Sequence, residues 1–220
     1  MIITIDGPAG SGKSTAARNL ARRLRAAYLD TGATYRAVAL KALRDGLDLS
    51  DDSAIAAAAR EADIHLSPEA DGVRVWLDGE EVTREIRSED VSSAASALAK
   101  SPQLREVLVE LQRRIGRELG SFIAEGRDQG SVVFPEADVK FYVTASPEIR
   151  AERRCRELTE AGRDANYEKV LQGILARDDA DSSRTVAPLV KPDDAVEIDT
   201  SKNTVEQTLE QLVQHVEARK

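Results

Sequence analysis

Eight residues near the start of the chain, Gly7-Pro8-Ala9-Gly10-Ser11-Gly12-Lys13-Ser14, spell G-x-x-x-x-G-K-S directly after the apolar run Ile2-Ile3-Thr4-Ile5. Such a loop commits the backbone. Its glycines reach φ > 0, successive N–H groups curl toward an anion, and the helix that follows aims the positive end of its dipole at the same point. The pattern has this meaning only between a buried strand and a helix, and both are legible: residues 1–6 read as strand and 13–25 as an Ala/Leu/Arg helix. The expected chemistry is binding of nucleotide phosphates, with Lys13 on the β/γ-phosphates and the Ser14 hydroxyl on Mg²⁺.

The rest of the chain continues the alternation this opening implies. A short run, Ala27-Tyr28-Leu29, ends at the turn Asp30-Thr31-Gly32, and a second helix is expected at about 33–44. Between about 63 and 83 the period changes to strict alternation in Ile64-His65-Leu66, Val73-Arg74-Val75-Trp76-Leu77 and Glu81-Val82-Thr83, with Asp78-Gly79 as a two-residue hairpin signal. Helices follow at roughly 89–99 and 102–117, the second led by Ser101 as N-cap with Pro102 at the first helical position. Strand signals return at 122–124, before Glu125-Gly126-Arg127-Asp128-Gln129-Gly130, and at 139–144. Then come a charged helix with Arg150, Arg153 and Arg154, a polar link at Gly162, a helix at about 167–178, a loop around Pro188, a strand at 195–198 and a closing helix from Thr204. The expected fold is α/β: one three-layer domain over 1–220, with a parallel central sheet and helices on both faces. Within it lies the inserted antiparallel hairpin (about 63–83).

Composition narrows the partners. The net charge of −8, from 31 basic and 39 acidic residues, disfavours nucleic-acid polymers. Yet arginines concentrate at 150, 153, 154 and 156, where guanidinium forks suit small phosphorylated substrates. The chain opens on its first strand without a charged-then-apolar leader, and its longest uninterrupted apolar stretch is the alanine-rich 54–59, so neither secretion nor membrane insertion is expected. Cys155 is the single cysteine and has no partner for a disulfide, which fits a reducing cytoplasm. No stretch reads as an oligomerisation seam, and a monomer is expected.

Set beside the phosphate loop, the segments Asp30-Thr31-Gly32-Ala33-Thr34-Tyr35-Arg36, Glu125-Gly126-Arg127-Asp128, Arg177-Asp178-Asp179-Ala180-Asp181-Ser182-Ser183-Arg184 and Ala187-Pro188-Leu189 resemble bacterial cytidylate kinases over essentially the whole chain. The hairpin insert resembles the extended monophosphate-binding subdomain of that family, and the resemblance implies that 31–117 is a nucleoside-monophosphate-binding region and 150–188 a lid. Thr34, Gln129 and Ser131 depart from the usual pattern and leave its charged positions intact. The resemblance implies transfer of the γ-phosphoryl of ATP to CMP or dCMP, with Mg²⁺. It places Gly7, Pro8, Ala9, Gly10, Ser11, Gly12, Lys13, Ser14 and Thr15 on ATP. It places Arg36 and Arg127 on the acceptor phosphate with Arg105 and Arg184 converging on it, Ser96 and Asp128 facing cytosine, and Arg177 and Asp181 near the ribose. Thr31 and Tyr35 complete the acceptor site, and Lys13, Arg127, Arg153 and Arg184 are the expected catalytic residues. Arg150, Arg153 and Arg154 would belong to a mobile lid.

The residues themselves add tests of this assignment. No Ser/His/Asp or Cys/His pairing is evident, and none is needed, since an acceptor phosphate with a second pKa of about 6 is already a nucleophile. Arg177, Asp181 and Arg184 share one face if a helix extends that far. Asp178, Asp179 and Asp181 point to different faces and so do not form a shared metal site. His65 and His215 read as structural, and Arg36 and Arg105 have the bland alternative of solvated helix arginines. Two other functions compete: a P-loop kinase with another acceptor, such as UMP or AMP, and a nucleotide-gated switch. The switch would need a guanine-reading N-K-x-D element, which Ser201-Lys202-Asn203-Thr204 does not supply.

Overall fold

A computed structural model of the chain describes residues 1–69 and 72–219. Residues 70 and 71, within the expected insert, lie outside the described residues. Five parallel strands form the central sheet in the order β2-β6-β1-β7-β8: β1 Ile2–Asp6, β2 Ala27–Asp30, β6 Phe122–Gly126, β7 Val139–Thr144 and β8 Val196–Asp199. Their apolar runs reflect burial on both faces. Ile3, Ile5, Ile123, Phe122, Phe141 and Val143 are at most 1% exposed. Helices α1 Lys13–Leu24, α2 Thr31–Arg44, α4 Glu89–Leu98, α5 Pro102–Leu119 and α8 Val205–Glu217 cover the sheet and the insert, and α6 Pro147–Glu160 packs with α7 Tyr167–Ser182. The insert is an antiparallel sheet of β3 Ile64–Glu69, β4 Gly72–Leu77 and β5 Glu80–Glu81, in which His65 lies opposite Trp76 with ring centroids 5.6 Å apart. Among the described residues no helix is long and apolar enough to cross a membrane.

The elements depart from the sequence expectation where side chains act at a distance. Helix α3, Asp52–Glu61, was not anticipated. Its buried face is mostly alanine, a weak core signal, but Asp51 caps it by accepting from Ser53 and Ala54, and Ile55, Ala56 and Ala59 are buried. Helix α2 starts at Thr31, because Asp30 caps it through Ala33 N–H at 3.1 Å and so draws Gly32 into the first turn. Helix α7 runs on to Ser182, its acidic stretch made tolerable by the bidentate pairing of Asp178 with Arg150 at 2.9 and 2.5 Å. Helix α5 starts as expected, with Ser101 accepting from Leu104 and Pro102 in the first turn. Residues 129–133 form one wide turn in which Phe134 N–H reaches Gln129 O at 2.7 Å.

The cleft follows from the topology. The C-terminal ends of β1, β2, β6 and β7 lead respectively into the phosphate loop, α2, the 127–130 turn and α6, so all four connections leave the same edge of the sheet.

Candidate active site

The phosphate loop has the left-handed backbone its glycines permit: φ is 75° at Gly10 and 87° at Gly12. Gly7 is required by space as well, since a Cβ there would lie 2.0 Å from the Val143 carbonyl oxygen. Lys13 is buried, and its Nζ donates to Pro8 O at 3.2 Å inside its own loop. Burial, then the nearby Arg127 cation, pushes the Lys13 pKa down to about 7. Ser11 Oγ is buried with no hydrogen-bond partner. Ser14 Oγ donates to Glu125 Oε2 at 2.8 Å, and Tyr28 OH donates to Glu125 Oε1 at 2.6 Å. Burial and the Glu125 charge raise the Tyr28 pKa, keeping the phenol a neutral donor.

Facing the loop is a cavity of about 450 Å³ lined by Lys13, Ser14 and all ten acceptor-side positions: Thr31, Tyr35, Arg36, Ser96, Arg105, Arg127, Asp128, Arg177, Asp181 and Arg184. Carboxylates occupy most of the guanidinium groups. Arg36 pairs with Asp30 at 2.8 Å, Arg105 with Asp128, and Arg127 with Asp181 at 2.7 Å, while Arg184 reaches the other oxygen of Asp181. Burial raises the pKa of Asp181, but Arg127 and Arg184 outweigh it and hold the carboxyl below its ordinary value; at Asp128 burial wins over Arg105 and the pKa rises. Arg105 also lies over the Tyr35 ring, 5.9 Å from its centroid. Desolvation by the packed cleft and the Arg127 cation lower the pKa of Arg177, although the residue as a whole stays solvent-exposed. The Nε–H groups of Arg36 and Arg184 are buried without partners, so the pocket retains donors for an anion.

The three arginines expected in a lid, Arg150, Arg153 and Arg154, do not line this cavity. Arg150 is 3% exposed and braces the loop from behind, donating to Ala145 O at 2.9 Å and Ala9 O at 3.2 Å. Arg153 is held by Thr200, at 3.0 Å to Oγ1 and 2.7 Å to the carbonyl, beside Gly12 and outside the cavity. Arg154 is exposed and pairs with Glu157. Sequence reasoning missed Glu125 and Asp30 as site residues. Glu125 stood inside a quoted motif, but nothing local announces that it lies against a serine 111 residues earlier.

Among the described residues no group of three or more His, Cys, Asp or Glu side chains could cage a metal ion. Mg²⁺ does not need one: it keeps several waters and binds through phosphates and one or two protein oxygens. The Ser14 hydroxyl and the buried Glu125 carboxylate beside the loop are hard oxygen donors of that kind.

A family model described as cytidylate kinase matches residues 3–218. Three curated relatives bear the same name. That of Pelotomaculum thermopropionicum is 48% identical, covering 98% of this chain and 96% of the relative. That of Rhodococcus opacus is 46% identical over 100% and 96%, and that of Clostridioides difficile 43% over 98% of both. A solved structure of an uncharacterized protein from Eubacterium ventriosum, 12% identical, covers 99% of this chain and 98% of its own with a TM-score of 0.53, a likeness of fold alone. With the match spanning nearly every residue that builds the cleft, the chain belongs to the cytidylate kinase family.

Proposed function

We propose that this chain transfers the γ-phosphoryl of ATP to CMP or dCMP, giving CDP or dCDP and ADP. The observation that carries the reading is the cavity itself, where buried guanidinium groups with unused donors meet a glycine-rich phosphate loop. In this reading the loop N–H groups and Lys13 hold the donor phosphates, Arg36, Arg127 and Arg184 hold the acceptor phosphate and neutralise the charge developed in transfer, and Arg177 and Asp181 lie by the ribose. Ser14 would hold Mg²⁺, with Glu125 fixing its hydroxyl; the ion neutralises charge on the phosphates when bound. The buried pair Arg105–Asp128, with Ser96 opposite, offers a guanidinium donor and a carboxylate acceptor, the complement of the cytosine ring edge. No general base is assigned, because the acceptor oxygen is already anionic near neutral pH.

The test is direct product analysis: purified protein with ATP, Mg²⁺ and CMP, separated by ion exchange. CDP and ADP in equal amounts are expected. ADP without CDP would make the chain a nucleotide hydrolase or a kinase of another acceptor.

A further inference from the structure

Asp6 closes β1 immediately before Gly7 and is 1% exposed. Each carboxylate oxygen is used: Oδ1 accepts from Gln129 N–H at 2.8 Å and Oδ2 from Gly130 N–H at 2.7 Å. These two amides begin the wide turn of residues 129–133 and follow directly on Arg127 and Asp128, which face the cavity. The turn has little slack. A Cβ on Gly126 would meet Gln129 Nε2 at 2.7 Å and Thr31 Oγ1 at 2.8 Å, and one on Gly130 would meet Thr4 Oγ1 at 2.8 Å. Rotating the turn would therefore draw Arg127 from Asp181 and Asp128 from Arg105.

We propose that Asp6 is a positioning residue: by clamping the Gln129 and Gly130 amides to the last residue before the phosphate loop, it fixes the reach between the donor phosphates and the acceptor. The claim rests on the phosphotransfer reading above. The geometry asks for a carboxylate in particular, because two N–H groups need two acceptors. An asparagine offers one oxygen and turns its own N–H₂ against the second amide.

The test compares wild type with Asp6→Asn. For the variant we expect kcat/KM for CMP to fall about 10- to 100-fold, the effect of misplacing a reactant by a fraction of an ångström to 1 Å, while the ATP dissociation constant measured calorimetrically without acceptor stays within about twofold. An unchanged CMP efficiency, or equal losses for ATP and CMP, would overturn the proposal in favour of a purely structural role. Hydrogen exchange on the wild-type protein needs no variant: the Gln129 and Gly130 amides should be among the most protected in the cleft, and loop-like exchange there would refute the clamp. A wild-type protein that makes no CDP would sink the kinase reading instead, so the two failures are distinct.

Discussion

Replacing Arg105 with methionine keeps most of the side chain's bulk and removes its charge, which isolates the Arg105–Asp128 pair. Both partners are almost fully enclosed, with side chains 4% and 6% exposed. An exposed pair contributes about 0–1 kcal/mol, whereas stranding one partner of a buried pair costs about 3–5 kcal/mol. Loss of the contact over Tyr35 adds about 0.5–1 kcal/mol. Burial already raises the Asp128 pKa, and removing the Arg105 cation favours the neutral carboxyl further, which softens the penalty, so we expect the lower end, about 3–4 kcal/mol. At about 2–4 °C per kcal/mol for a chain of this size, the melting temperature falls by about 6–16 °C. Asp128→Asn should recover much of this in the double variant, because no charge is then left unpaired. Urea titration followed by far-ultraviolet circular dichroism gives the four stabilities of the cycle. A loss under about 1 kcal/mol for Arg105→Met, or strict additivity of the two changes, would refute the description of the pair as buried and mutually dependent.

Lys13→Ala should lower kcat by about 100- to 1,000-fold with little change in its unfolding transition, since it removes a charge from the phosphates and only widens a cleft that Lys13 already lines; steady-state assay beside thermal unfolding checks both. Arg36→Ala and Arg127→Ala should reduce CMP efficiency far more than apparent ATP affinity, and equal weakening toward ATP would move them to the donor side. The lowered Lys13 pKa of about 7 implies that the free enzyme is largely unprotonated there at pH 8.5. Bound triphosphate favours the charged form, so binding should take up a proton and ATP affinity should fall as pH rises above about 7. Calorimetry in two buffers of different ionisation enthalpy measures that uptake, and zero uptake would contradict the burial argument.

What the sequence discloses follows the range of the forces involved. The phosphate loop, the Ser101 cap and the strand Val139–Thr144 are local, resting on glycine torsions, one capping oxygen and an apolar run, and they lie where the residues place them. Helix α3 escapes because all but one of its buried positions are alanine, a weak core signal in sequence, and α7 outlasts its sequence signal because Arg150 comes from another helix. The ten acceptor-side positions share one cavity, yet they are dispersed from residue 31 to 184, and only the family pattern gathers them in advance. Charge runs hide differences for the opposite reason. A cluster of arginines looks uniform in sequence, but Arg150 braces the loop, Arg153 grips Thr200 and Arg154 faces solvent. The Glu125 contacts to Ser14 and Tyr28 join three separate elements, and nothing in any of the three spells the other two.

The central claim is that this cleft reads a cytosine, and base preference tests it most directly. Uracil presents a carbonyl where cytosine presents an amino group, leaving a buried acceptor unpaired at a cost of about 1–3 kcal/mol. With ATP and coupled ADP detection, kcat/KM for CMP should exceed that for UMP by about 5- to 150-fold, each 1.4 kcal/mol being a factor of ten. Ser96→Ala with Asp128→Ala should shrink the ratio chiefly by lowering the CMP value. Equal or better use of UMP by the wild-type enzyme, or a ratio untouched in the double variant, would contradict the assignment of the acceptor pocket.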